Sequence, residues 1–266
     1  MIENILIPAI WVGGIALALG VILAVASHIF RVETDERIPA ITEALPGANC
    51  GGCGFSGCDA YAAAIVGGSA KIGLCPVGGK ASIDKISEVM GVEPTDFIEK
   101  KAFVLCGGDC KKAKIKYDYR GIMDCAAAER VSNGPKNCSY GCIGYGTCVS
   151  VCKFDAISIK NCIAVVDQSK CTACGMCVKS CPRNIIELKP CENDVTVKCI
   201  SKDKGSLVRK YCEVGCIGCK ICENVCPVGA VSVDGVAKID YNKCIKCGVC
   251  AEKCPTKAIT IGVIDY

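Results

Sequence analysis

The stretch "CIGCKICENVCPVGAVSVDGVAKIDYNKCIKCGVCAEKCPTKAI", residues 216–259, decides how the chain folds. It contains C-x2-C-x2-C-x3-C-P twice, at Cys216, Cys219, Cys222 and Cys226 before Pro227, and at Cys244, Cys247, Cys250 and Cys254 before Pro255. Three cysteines so spaced wrap three irons of a four-iron, four-sulfide cube, and the fourth, turned by its proline, reaches across to the other cube. Cys216, Cys219, Cys222 and Cys254 are therefore expected to hold one [4Fe-4S] cluster, and Cys244, Cys247, Cys250 and Cys226 its partner. Between the runs, "AVSVDGVAKID" alternates apolar and polar residues around Asp234-Gly235, which predicts a hairpin.

The pattern occurs a second time. Residues from Asp124 align with residues from Lys198 at an offset of 74, falling to 73 after one gap. Cys125, Cys138, Cys142, Cys148 and Cys152 match Cys199, Cys212, Cys216, Cys222 and Cys226; Cys171, Cys174, Cys177 and Cys181 match the last run. Two tandem bicluster ferredoxin-like units built of ββα repeats are expected. In the first copy Cys171, Cys174 and Cys177 take Cys152 as fourth ligand. The sister set, Cys142, Cys148 and Cys181, lacks one, because Tyr145 stands at the Cys219 position. Cys138, four residues before Cys142 on the same glycine-containing loop, is expected to supply it. Lys153 replaces only a turn-setting proline, so its effect should be mild.

Composition agrees with metal binding. The chain has 27 cysteines in 266 residues, an odd number that cannot pair completely, and their close runs suit convergence on a metal better than bridging. Disulfides are rare in a reducing cytosol. The formal charge of +4 counts each cysteine as a neutral thiol. Five clusters, each leaving about two negative charges, would shift it by about −10. No aromatic-interleaved basic stripe accompanies the scattered lysines, so nucleic acid is not an expected partner.

From Asn4 to Phe30 there is no Asp, Glu, Lys or Arg, which predicts one transmembrane helix rather than a cleaved signal: no basic residue precedes the run, and it is too long. The need for reducing conditions places the cysteine-rich body on the cytoplasmic side of the cell (inner) membrane. His28, the only histidine, reads as an interfacial or packing residue. A small helical module follows. Cys50, Cys53 and Cys58 lie in one glycine-rich loop and Cys75-Pro76 comes after a helix expected from Asp59, with Ile83, Ile86, Val89 and Met90 the core face of another. Zinc sites more often split into two close pairs, so a [4Fe-4S] cluster is expected here too.

The fold class is thus α+β. Its expected parts are an anchor at 1–31, an N-terminal [4Fe-4S] domain at 32–100, a Cys-containing connector at 101–132, and ferredoxin-like domains at 133–190 and 191–266. At least five [4Fe-4S] clusters are expected. Cys106, Cys110, Cys125, Cys199 and Cys212 are candidates for a sixth or for a redox-active dithiol, and sequence does not pair them. Cys162 reads as a small buried hydrophobe, and Cys191 has no assigned role.

The anchor, the "CGGCGFSGC" module closed by Cys75-Pro76, and the ferredoxin-like loops together resemble the RnfB family, electron-carrying components of Rnf complexes. The module is also similar to one in corrinoid iron-sulfur proteins, which would not need the anchor. The second ferredoxin unit and the Cys106 to Cys138 segment depart from shorter members, so cluster number cannot be carried over. The resemblance implies a subunit of an ion-translocating ferredoxin:NAD oxidoreductase that accepts electrons from soluble ferredoxin. It also implies flavin-bearing and multi-span membrane subunits as partners, and Na+ or H+ export as the coupled work. A membrane-tethered polyferredoxin serving another dehydrogenase without ion pumping is the rival reading. No catalytic residue is expected in the chain itself: "GYGTCV" at Gly144 only grazes a dinucleotide fingerprint, inside a cysteine loop and without strand-loop-helix context.

Overall fold

The computed structural model of the chain describes residues 3–29, 35–192 and 194–262. Helix α1 (Glu3–Ile29) is continuous over 27 residues. Its described side chains, residues 11–27, are nearly all exposed, Trp11, Leu17 and Leu23 among them. Among the described residues no helix is long and apolar enough to cross a membrane.

Helices α2 (Arg37–Ala44), α3 (Cys58–Val66) and α4 (Gly79–Met90) form the small module. Ile41, Tyr61, Ala62, Ile65 and Ile86 are its buried centre, with Val89 and Met90 packed against it and Ile83 also buried. Gly91, in the left-handed region at φ 66°, ends α4 without the strain a side chain would add. The Tyr61 hydroxyl donates to the Lys71 carbonyl (2.9 Å) and accepts from the Leu74 N–H (3.0 Å), which pins the chain just before Cys75. Tyr61→Phe leaves both backbone groups unpaired in a buried setting. It should cost about 1–3 kcal/mol, read as earlier bleaching of visible absorbance in urea.

Two units of like build follow. The first comprises β1 (Lys100–Val104), α5 (Cys125–Arg130), α6 (Thr147–Ser150), β2 (Ile157–Lys160), β3 (Ile163–Val166), α7 (Met176–Ser180) and β4 (Ile186–Pro190). The second comprises β5 (Val195–Val197), α8 (Gly205–Tyr211), α9 (Ile221–Asn224), β6 (Val231–Asp234), β7 (Val236–Ile239), α10 (Val249–Glu252) and β8 (Ile259–Ile261). The strands pair antiparallel as β1-β4, β2-β3, β5-β8 and β6-β7. Strands β6 and β7 turn at Gly235, with Asp234 opposite Val236; Val231 and Val233 face inward, Ser232 and Asp234 outward. Strand β1 lies ahead of residues 101–132 in its first residue and overlaps them in the rest, yet its partner is β4, as β8 is the partner of β5. The first unit therefore draws strands from both sides of that segment. The segment itself folds back, Ala113 bridging to Cys212 and Ile115 to Lys136.

The helices α6, α7, α9 and α10 are single turns, too short to be stable alone. Each begins after a left-handed residue, Gly146, Gly175, Lys220 or Gly248, and each buries a cysteine at its second position: Cys148, Cys177, Cys222 and Cys250. Cysteine and aliphatic residues thus share the cores of both units.

Candidate metal centres

The cysteines gather in sets that draw on more than one loop. In the second unit Cys216, Cys219, Cys222 and Cys254 line a space of about 320 Å³, walled otherwise by Val233, Ala237 and neighbouring apolar residues. Beside it Cys250 faces Cys244 and Cys247. Backbone N–H groups point at the sulfurs: Ala237 to Cys216 at 3.5 Å and Ala230 to Cys226 at 3.3 Å. Burial works against ionisation of Cys226, but the N–H groups of Val228, Ala230, Val231 and Gly229 outweigh it and hold that thiol below its ordinary value.

In the first unit Cys177 faces Cys171, Cys174 and Cys152, and burial with those neighbouring sulfurs pushes it up to about 12. Ala102 donates its N–H to Cys171 and Ala156 to Cys152, each at 3.4 Å. In the small module Cys53 and Cys58 pack with Cys75, whose thiol is raised by burial and by the nearby sulfurs of Cys53 and Cys50. The Gly78 N–H lies 3.4 Å from Cys75 Sγ.

The loop that carries Tyr145 differs from expectation. Cys142, Cys148 and Cys181 line a space of about 320 Å³ whose fourth cysteine is Cys125, not Cys138. Local chemistry puts Cys125 there. Asp124 caps α5, accepting from the Ala127 N–H (2.9 Å) and the Thr147 hydroxyl (2.6 Å), and the Cys125 N–H donates to Thr147 Oγ1 (2.8 Å). The Thr147 hydrogen bond, then that of Ala127, holds the Asp124 carboxyl below the usual carboxylate range. Glu129 pairs with Arg183 at 3.3 Å, tying the far end of α5 to the Cys181-Pro182 turn. Tyr145 stacks on Tyr119 with ring centroids 5.4 Å apart and covers the site. The signal in the sequence was paired: Thr147 stands where the second copy has Ile221, two residues after Tyr145 stands where it has Cys219.

Cys138 instead lines a different cavity with Cys106, Cys199 and Cys212. Of the candidates for a sixth site, Cys125 belongs to the Tyr145 loop, and Cys110 makes a side-chain contact with Cys162. Cys162 is only half-buried, at a left-handed φ of 61°, rather than a core hydrophobe. Cys191 lies beside Glu99.

Burial, then the surrounding sulfurs, pushes Cys142 and Cys148 up to about 12. Such thiols ionise only when a positive centre draws them, so metal loading of these sets releases protons. Among the described residues no group of three or more His, Cys, Asp or Glu could hold a single metal ion. The sulfurs stand instead around cavities, with N–H groups aimed at them, a setting that fits a cluster.

Residues 45–77 match the family described as "Putative Fe-S cluster", residues 164–187 the "4Fe-4S binding domain" and residues 215–258 the "4Fe-4S dicluster domain". The chain is 47% identical over 245 residues to the RnfB-type component of the Na(+)-translocating ferredoxin:NAD(+) oxidoreductase complex of Acetobacterium woodii, covering 91% of this chain and 74% of that one. It is 42% identical to the corresponding component of the ion-translocating oxidoreductase complex of Methanosarcina acetivorans, covering 91% and 92%. It is 41% identical to that of the proton-translocating ferredoxin:NAD(+) oxidoreductase complex of Clostridium ljungdahlii, covering 76% and 72%.

Proposed function

The chain belongs to the RnfB family of ion-translocating oxidoreductase complexes, and from that premise we propose that it accepts electrons from reduced ferredoxin and relays them toward NAD reduction coupled to Na+ or H+ translocation. It is an iron-sulfur electron-transfer subunit, with other Rnf subunits as partners. The observation that carries the relay is the contact between successive cysteine sets. A Cβ on Gly52, in the first cysteine loop, would lie 2.8 Å from the Cys174 carbonyl oxygen. Cys174 in turn senses Cys50, and Cys148 senses Cys177.

Five [4Fe-4S] sites follow from the sets: Cys50, Cys53, Cys58 and Cys75; Cys152, Cys171, Cys174 and Cys177; Cys125, Cys142, Cys148 and Cys181; Cys216, Cys219, Cys222 and Cys254; Cys226, Cys244, Cys247 and Cys250. Bound clusters supply one-electron chemistry. The residues supply burial and the N–H groups that tune it.

Helix α1 is the anchor in this reading. Its 27 residues rise about 40 Å at ~1.5 Å each, more than a ~30 Å hydrocarbon core, and residues 4–30 carry no acidic or basic side chain. The body then lies on the cytoplasmic side of the membrane, where thiols stay reduced.

Affinity purification of the chain from membranes tests this. Flavin-bearing and multi-span subunits should copurify, and the preparation should reduce NAD with ferredoxin in a sodium- or proton-dependent manner. A solitary protein with neither property would sink the proposal in favour of a tethered polyferredoxin.

A further inference from the structure

We propose that Cys106, Cys138, Cys199 and Cys212 hold a sixth [4Fe-4S] cluster that joins the two ferredoxin-like units. These four sulfur-bearing side chains line one enclosed space of about 400 Å³, against about 320 Å³ for each of the two other cavities lined by four cysteines. None of the four is in a C-x2-C-x2-C run, so each is left over once the five sets above are complete.

The site is built by the repeat. Cys138 and Cys212 are equivalent residues, each followed three positions later by a glycine, Gly141 or Gly215, that also lines the cavity. The two loops have matching geometry: a Cβ on either glycine would lie 3.5 Å from the cysteine's Cβ and 3.6 Å from its Sγ. One such loop enters from each unit. Cys106 arrives on the segment after β1, and Cys199 on the strand exit after β5. Gly108 lets the backbone come close to two of the sulfurs, since a Cβ there would meet Cys212 Sγ at 3.2 Å and Cys106 Sγ at 3.9 Å.

Two cations complete the site. Lys136 and Lys198 line the cavity. Lys136 is buried, donating to the Gly108 and Cys162 carbonyls (both 2.9 Å), and Lys198 donates to the Val104 carbonyl (3.2 Å). Neither forms an ion pair with a carboxylate among the described residues. A buried ammonium calls for a nearby negative charge, and four thiolates around an oxidised cluster provide about two.

Its position gives it a use. The Cys142 N–H donates to Cys106 Sγ at 3.4 Å, and the Cys216 backbone bonds to Cys199. Cys142 and Cys216 belong to the facing cysteine sets of the first and second units, so this site touches both. The bridging role rests on the electron-carrier reading; the ligand set does not.

Iron and sulfide analysis with EPR of the anaerobically reconstituted full chain in detergent is the test. The wild type should hold about 24 irons and as many sulfides. Cys212→Ala and Cys106→Ala should each lose about four, and the double variant no more than either single one. A wild-type content of about 20 irons, zinc in place of the last four, or a Cys212→Ala variant that keeps its full iron would overturn the site. Should a variant lose far more through misfolding, the wild-type count decides alone. Twenty-four irons without ferredoxin:NAD activity in the complex would sink the carrier reading and leave this site standing; 20 irons with full activity would do the reverse.

Discussion

Replacing Cys125 with alanine removes about four irons and one cluster's EPR signal, and adding Tyr145→Cys to that variant restores both. The first half follows from Cys125 being the fourth sulfur around the space lined by Cys142, Cys148 and Cys181. The second follows from the repeat, because Tyr145 occupies the position of Cys219, which lines the equivalent space in the second unit. A thiol there converts the first loop to the ligand pattern of the second. Stability need not recover with the iron. Tyr145 stacks on Tyr119, and losing such a pair costs about 0.5–1.5 kcal/mol beyond the buried area. Cys138→Ala should also lose about four irons, but from the site shared with Cys106, so Tyr145→Cys leaves that loss uncorrected. Rescue of Cys138→Ala instead of Cys125→Ala would return the ligand to the residue nearer in sequence. Iron content of the three variants and the two doubles is the measurement.

Gly52→Val should keep the iron and slow the electrons. Its Cβ would sit 2.8 Å from the Cys174 carbonyl oxygen, 3.2 Å from the Cys174 Cα and 3.2 Å from Pro76 Cγ. Two of those atoms are backbone, so a rotamer change cannot relieve the clash. Overpacking of this kind costs about 1–3 kcal/mol, and sliding the small module off the first unit is the direct way to avoid it. No ligand changes, but the Cys50 set moves away from Cys174, and electron tunnelling weakens steeply with separation. Lys153 offers the contrast. Where the second copy has Pro227, Lys153 reaches the Asn49 carbonyl at 3.2 Å and the Ala48 carbonyl at 3.5 Å on the module's cysteine loop. These bonds are solvent-exposed, so Lys153→Ala should cost no more than about 0.5–1.5 kcal/mol and slow transfer less. Stopped-flow reduction of the chain by ferredoxin compares them; an unchanged rate in Gly52→Val would remove the contact from the relay.

The readable part of the molecule was the part with short loops. Three cysteines with two residues between neighbours have little choice of partner, because the turn that spaces them is the turn that converges them. That is why Cys171, Cys174 and Cys177, and Cys216, Cys219 and Cys222, could be grouped from spacing, and why Gly235 could be placed at a hairpin turn. Strand β1 was not legible as part of the first unit. "KKAFV" is a short apolar run whose meaning lies in its pairing with residues 186–190, far along the chain.

The leftover cysteines divide the two kinds of information most clearly. The sequence by itself determined that a repeat of cysteine loops exists, that one copy lacks a ligand at Tyr145, and that several sulfurs are in surplus. It favoured Cys138 as the replacement because only three residues separate it from Cys142. Tertiary structure decided otherwise: capping by Asp124, the Thr147 hydroxyl and the Glu129–Arg183 pair carry Cys125 to the Tyr145 loop, while Cys138 faces Cys106, Cys199 and Cys212 across the boundary between units. A ligand's loop is set by local spacing, but its fourth partner is set by which distant elements dock, and docking depends on hydrogen bonds and packing that one-dimensional distance does not contain.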